Sequence, residues 1–322
     1  MSMTFSRQTS ALRRLGDRLG AARLVIGIVT VLLIFAAIEP RVISSANLRN
    51  IAIQGSYLSV FALAQCLVIL TRGFDLSLGF TVSLVSVLSA MVMVATGSTF
   101  MGILTGLGVG LAVGVTNGIL IGGIGLNPLV MTLGMANIVM ALASTVSGGF
   151  PVTGMPTGFS ATFSQGTLLG LPSQIWIVAL LFVACWAMLR ATRLGRSLYI
   201  IGANPRAAVA AGINTVWVLV SAYALSSLVT ATGALLLTAR TGSGEPNLGG
   251  NLTLEAIAAA VVGGAKLSGG QGGVSSALFG ALFITVLSNG MNLVQLDGYI
   301  QQILLGIIIV ISLILSRDMV RR

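Results

Sequence analysis

Between an apolar run over 52–71 and a second over 76–96 stands Thr71-Arg72-Gly73-Phe74-Asp75-Leu76-Ser77-Leu78-Gly79. Each flanking run matches the roughly 20 residues that a helix needs to cross a hydrocarbon core. The charged, glycine-bearing break between them punctuates one span from the next. Cutting the rest of the sequence at its polar, Gly and Pro punctuation gives about ten such segments. They lie near 21–39, 52–71, 76–96, 101–122, 127–147, 173–190, 215–239, 252–265, 273–293 and 298–316. The eighth is short, which marks a broken or re-entrant helix. The expected fold is therefore an all-α, polytopic membrane bundle.

Composition agrees. The chain has 322 residues, of which 56% are hydrophobic and 7% charged, with a mean hydropathy of +1.02. A soluble domain carries about 25% charged residues to face water, so lipid must solvate most of this exterior. The net charge of +10 points to orientation rather than nucleic acid, because the bases gather at segment ends. With the N-terminus inside and ten spans, fourteen of the 17 bases fall on the cytoplasmic side, leaving only Arg41, Arg49 and Arg240 outside. This arrangement puts both termini in the cytoplasm. Residues 1–22 form a basic cytoplasmic segment, 23–316 the membrane domain and 317–322 a short tail. The run Leu24 to Ile38 ends in Glu39-Pro40-Arg41 without a small-residue cleavage site, and it reads as a retained first span rather than a signal peptide.

Several chemistries are excluded. The sequence has no histidine, which removes imidazole relays and most zinc sites. Cys66 and Cys185 each sit in an apolar run and read as inert. No phosphate-cradling G-x-x-x-x-G-K-[ST] loop is present. No paired carboxylates or nucleophile–base pair suggest an intramembrane enzyme, so no catalytic residue, metal or cofactor is expected.

Four groups of residues carry the functional reading. Asp75 is one of seven acids and stands at a break between spans. An ionisable group near membrane depth suggests function, but a cap for a helix starting at Leu76 is the favoured role. The loop over 190–214 contains Asn204 suited to an N-cap, Pro205 to the first helical position and Gly212 to the residue after the helix end, with Ala207 and Ala208 between. A short helix so poor in large side chains either stiffens the loop or docks on a partner. The stretch Glu255 to Gly273 is dense in glycine, as broken helices at membrane depth require. It also holds Lys266, the only lysine. Finally, Asn117, Asn137, Asn289 and Asn292 are amides inside spans, which pair across helices or face a cavity. A longer loop over 148–172 is assigned to the outside.

Taken together, these features resemble the permease subunits of the ribose, xylose and arabinose family of bacterial ATP-binding-cassette importers. That family's Gly-Gly-Ile-Asp-Leu-Ser-Val-Gly stretch stands here up to Gly79, with Arg72 and Phe74 departing from the usual residues. Its Asn-Pro-Leu-Val-x-Thr-Leu-Gly segment stands as Asn127 to Gly134, its loop pattern as Gly195 to Gly212, and its glycine-rich stretch as Ala260 to Gly272. The resemblance implies a translocation pathway that draws on Asp75, Ser77, Asn117, Asn127, Asn289 and Asn292. It also implies an ATPase-coupling loop built from Gly195, Gly202, Asn204, Pro205, Ala207, Ala208 and Gly212. The implied partners are a cytoplasmic cassette ATPase, an extracytoplasmic sugar-binding protein and a second permease, identical or paralogous, all at a bacterial inner membrane. The expected cargo is a pentose or hexose. A related importer for nucleosides or branched-chain amino acids is the nearer alternative, and an ion-coupled secondary transporter relying on Asp75 the more distant one.

Overall fold

A computed structural model describes Ala22 and residues 24–318. Most of the expected basic segment 1–22, Arg23 and the last residues of the 317–322 tail lie outside them. Among the described residues the architecture is helical throughout, with one two-residue hairpin. In chain order the helices are α1 (Leu24–Ile38), α2 (Ser45–Ile69), α3 (Leu78–Thr96), α4 (Thr99–Gly118), α5 (Pro128–Ser147), α6 (Thr157–Ser160), α7 (Ser173–Ala191), α8 (Arg193–Ala203), α9 (Pro205–Ala210), α10 (Thr215–Thr241), α11 (Leu252–Val262), α12 (Val274–Leu293) and α13 (Gly298–Asp318). A π-helical turn, Ile119–Gly123, extends α4. The strands β1 (Thr167–Leu168) and β2 (Leu171–Pro172) pair antiparallel within the 148–172 loop.

Seven of these helices are long and apolar enough to cross a membrane: α2, α3, α4 with its π turn, α5, α7, α10 and α12. The expectation of about ten spans thus meets seven helices of spanning length. The remaining three segments coincide with the shorter apolar stretches Leu24–Ile38, Leu252–Val262 and Gly298–Ile308. Fifteen helical residues rise only about 22 Å against a core of about 30 Å. That is why the first two fall short, whereas α13 as a whole runs 21 residues.

Helix α2 forms the centre, with α10, α11, α12 and α7 packed around it. Its side chains from Val60 to Leu70 are almost fully buried. Serine caps set two helix starts, Ser44 accepting from Asn47 N and Ser98 from Met101 N. Glycines in the left-handed conformation end α3, α5 and α10 at Gly97, Gly148 and Gly242.

The eighth segment forms the short helix α11, and the chain that leads into it has a physical design. After α10 the chain passes through an isolated bridge at Gly244 and a series of turns alongside α3 before α11 begins. Gly244 lies against Ala90 and Ser86, and Gly249 against the backbone of Gly79. Backbone N–H groups away from water must find partners in the protein. Here Ser86 Oγ accepts from Glu245 N at 3.1 Å and Ser83 Oγ from Gly249 N at 3.1 Å. The other edge is held by mutual backbone bonds between Gly244 and Val152 at 2.8 and 2.9 Å.

Candidate functional site: a pinned break and a three-way junction

The break quoted at the outset is held by side chains from three neighbouring helices. Arg72 adopts φ +66°, and Gly73 follows in a place where a β-carbon would stand 2.6 Å from Tyr223 Oη and 2.8 Å from Val68 Cγ1. Those two residues turn the chain out of α2. Neighbouring helices then take up its backbone groups one at a time. Tyr223 Oη on α10 donates to Phe74 O at 3.0 Å, Thr132 Oγ1 on α5 accepts from Leu76 N at 3.0 Å, and Thr253 Oγ1 on α11 accepts from Gly79 N at 2.9 Å.

Asp75 is buried at the centre of this arrangement, 1% exposed. Its Oδ1 accepts from Ser77 N at 2.9 Å and from Ser77 Oγ at 2.5 Å. Asn117 Nδ2 on α4 donates to the same Ser77 Oγ at 3.0 Å, while Asn117 Oδ1 is buried without a hydrogen-bond partner. Among the described residues the one ion pair joins Glu39 and Arg41, and the donors that meet Asp75 are the uncharged N–H and O–H of Ser77. The helix beyond it starts at Leu78 rather than Leu76, with Ser77 as the N-cap residue.

Of the other residues proposed for a pathway, the structure brings none to this cluster. Asn289 pairs with Asn47 through two amide bonds of 2.8 and 3.0 Å that tie α12 to α2. Asn127 is exposed and caps α5, accepting from Leu129 N at 3.0 Å. Asn292, also exposed, accepts from Gln301 Nε2 at 2.9 Å. Asn137 bonds back to Leu133 O on its own helix.

The second part of the site lies where α2 ends. The loop over 190–214 folds as two helices, α8 and α9, joined at Asn204. Asn204 Oδ1 accepts from Ala207 N at 3.1 Å and Pro205 takes the first position of α9. Gly212 has φ +73° and closes α9, with Ile213 N bonded to Ala208 O at 3.0 Å. Sequence reasoning found α9 and overlooked α8. The signal was there in Leu194, Leu198 and Ile201, spaced four and three apart as one apolar helix face requires. Gly195 makes the corner possible, since a β-carbon would collide with Met188 and Leu189 of α7. On α9, Ala208 is fully buried while Ala207 is exposed and Val209 is 63% exposed, so the two alanines face opposite ways.

Three segments far apart in sequence meet at the end of α8. Gly202 is so tightly enclosed that a β-carbon there would overlap Leu70 O and Gly270 N. Gly270 N donates to Leu70 O at 3.0 Å, Tyr199 Oη to Gly272 O at 3.0 Å, and Arg72 to the carbonyls of Gly202 and Ala203 at 2.5 and 2.8 Å. The break after α2, the α8–α9 pair and the glycine-rich loop before α12 are thus one junction. Lys266 contributes its backbone to that loop, its N–H donating to Gln271 O at 3.1 Å.

A ridge of glycines was also overlooked. Gly102, Gly106, Gly110, Gly114, Gly118 and Gly122 recur every four residues along α4 and its π turn, which is the spacing that brings helix backbones together. Gly102 packs against Met93 and Ser89 of α3, and the other five face Leu219, Val220, Tyr223, Ser227, Ala231 and Leu235 of α10.

Comparison with known proteins places this geometry. The family model described as branched-chain amino acid transport system, permease component, matches residues 47–313. The chain is 31% identical over 298 residues to the ribose import permease protein of Escherichia coli, covering 91% of this chain and 92% of that one. It is 34% identical to the ribose import permease protein of Bacillus subtilis, covering 91% of each. It is 36% identical to the galactose/methyl galactoside import permease protein of Salmonella typhimurium, covering 90% of this chain and 93% of that one. No solved structure matches.

Proposed function

The chain belongs to the family described as branched-chain amino acid transport system, permease component, and from that premise we propose that it is the channel-forming subunit of an ATP-binding-cassette importer for a monosaccharide. One observation carries the cargo class: along nine-tenths of both chains the sequence aligns with permeases named for ribose and for galactose. Hydrolysis belongs to a separate cassette ATPase, and delivery to an extracytoplasmic sugar-binding protein. A second permease completes the channel. Deleting the gene and measuring uptake of radiolabelled ribose, galactose and leucine tests the reading. Loss of sugar uptake with leucine uptake intact is the expected result. Loss of leucine uptake alone would move the chain to the amino-acid carriers.

In this reading the seven long helices and the three shorter apolar ones make ten crossings, both termini are cytoplasmic, 148–172 faces outward and 190–214 faces inward. The charge asymmetry supports it. Cys66 and Cys185 are buried, so replacing them gives a quiet background for labelling. A cysteine at exposed Gly158 is expected to react with an impermeant maleimide in intact cells. One at exposed Ala207 is expected to react only after the membrane is opened. The reverse pattern would invert the orientation.

We assign α9 the contact with the ATPase, because it is a capped, small-residue helix projecting from the inward end. Close packing in a partner's groove tolerates Ala but not bulk. Ala207→Trp, at an exposed position, is expected to abolish uptake and release the ATPase while the permease still inserts. Gly212→Val is expected to act likewise through the left-handed conformation at the end of α9. Wild-type uptake and ATPase co-purification in both variants would place the contact elsewhere.

Asp75 is read as the cap of the break beside the pathway rather than as an ion carrier. Asparagine keeps an acceptor oxygen for Ser77 N and is about as good a cap. Asp75→Asn is therefore expected to keep about half or more of wild-type uptake. Asp75→Leu strands two buried donors, at about 1–3 kcal/mol each, and is expected to lose uptake. Silence of a well-inserted Asp75→Asn permease would favour charge coupling.

A further inference from the structure

The junction contains a side chain that the transport reading leaves without a task. Arg72 is one of three non-glycine residues with positive φ among the described residues, and an L side chain there is sterically disfavoured. Something must hold it, and its guanidinium shows what. Nε and Nη2 donate to the carbonyls of Gly202 and Ala203, the last two residues of α8. Carbonyls at a helix C-terminus have no intrahelical donor and carry the negative end of the helix dipole. A planar, permanently charged fork suits two adjacent acceptors in a way an ammonium does not.

What the clip joins is as informative as the bonds themselves. On one side, α8 leads through Asn204 directly into α9. On the other, Arg72 belongs to the segment whose next residues, Gly73 to Ser77, are held by Tyr223, Thr132 and Asn117 around buried Asp75. Behind the clip, Gly202 and Gly270 leave no space for α8 to slide against Leu70. That packing fixes where the end of α8 sits, and Arg72 is the side chain that bonds this end to the break itself.

We propose that Arg72 is a positioning residue that fastens the end of α8 to the break at 71–77, so that movement of the α8–α9 pair is delivered to the buried Asp75 cluster. The proposal rests on the reading of α9 as the ATPase contact. The informative variant is Arg72→Gly, because glycine adopts the left-handed conformation freely. It removes the clip without straining the backbone.

Hydrogen exchange on the reconstituted permease–ATPase complex, with and without ATP and vanadate, reads the link without needing the sugar. In the wild type, amides over 205–212 and over 71–77 are both expected to change protection on nucleotide trapping. In Arg72→Gly the response over 205–212 is expected to persist, while the response over 71–77 falls at least about fivefold. Relief of the left-handed strain at this position offsets much of the two lost bonds, so ATPase co-purification is expected to stay unchanged and the apparent melting temperature to move by no more than about 2 °C. Arg72→Lys, which keeps one charged donor, is expected to restore part of the response. A full response over 71–77 in Arg72→Gly overturns the proposal, and so does a lowered melting temperature that accounts for its loss. Silence over 205–212 in the wild type would instead sink the docking reading, and the clip's task with it.

Discussion

Gly202→Ala is expected to abolish ATP-driven uptake and to lower the apparent melting temperature of the purified permease by roughly 5 °C or more, an effect out of proportion to one methyl group. The reason is where that methyl would go. It overlaps Leu70 O and Gly270 N, two backbone atoms already bonded to each other at 3.0 Å. Backbone cannot rotate out of the way as a side chain can, so α8, the end of α2 and the glycine-rich loop must separate. Separation also breaks the Arg72 bonds to Gly202 and Ala203 and the Tyr199 bond to Gly272. Overpacking alone costs about 1–3 kcal/mol, and each lost hydrogen bond adds about 1 kcal/mol, more where a charge is involved. Gly134→Ala is the matched control. A β-carbon there meets nothing within 4 Å, and alanine is the better helix former by about 0.5–1 kcal/mol. Normal uptake in Gly202→Ala would mean that the three segments need not stay in register.

The same residues show how much of this could be read beforehand. Asn204, Pro205 and Gly212 act locally: cap, first turn and left-handed stop are decided by the residues themselves, and each stands where the sequence put it. The ten apolar segments all became helices for a similar reason, because span-length hydrophobicity is a local property. Which of them are long enough to cross was less legible. The Gly, Pro and Asn of the stretch from Gly242 to Asn251 announce turns, but not that the serines of α3 would take up its backbone groups.

The site itself was half visible. Asp75, Ser77 and Asn117 could be listed, but that Asn117 bonds Ser77 while Asn127, Asn289 and Asn292 do other work depends on which helix faces which. Nothing in the sequence joins residue 72 to residue 202. Tyr223 gave a faint signal, a phenol inside an apolar run whose hydroxyl had to find an acceptor. Its acceptor, Phe74 O, is 149 residues away.

Gly114→Leu is expected to be as damaging as Gly202→Ala, by a route through packing alone. In lipid no hydrophobic force drives two helices together, so α4 and α10 associate through close van der Waals contact and whatever polar bonds that contact allows. At Gly114 a β-carbon would stand 2.5 Å from Tyr223 O and 2.7 Å from Ser227 Cβ, and at Gly110 2.5 Å from Ala231 Cβ. A leucine at either position forces the helix axes apart along the whole ridge, since α4 is stiff over these turns. The consequence extends to the break. Asn117 lies one turn from Gly114 on α4, and Tyr223 sits opposite it on α10. Parting the two helices withdraws the donors from Ser77 Oγ and Phe74 O together. The expected outcome is a permease that inserts but aggregates on detergent extraction, with uptake reduced at least about tenfold for a loss above 1.4 kcal/mol. Gly108→Leu supplies the comparison, because Gly108 lies on the same helix with nothing within 4 Å of its β-carbon position. That variant is expected to insert, extract and transport like the wild type. Equal behaviour of the two leucine variants, whether both sound or both broken, would show that the four-residue spacing of the ridge is not what holds α4 to α10.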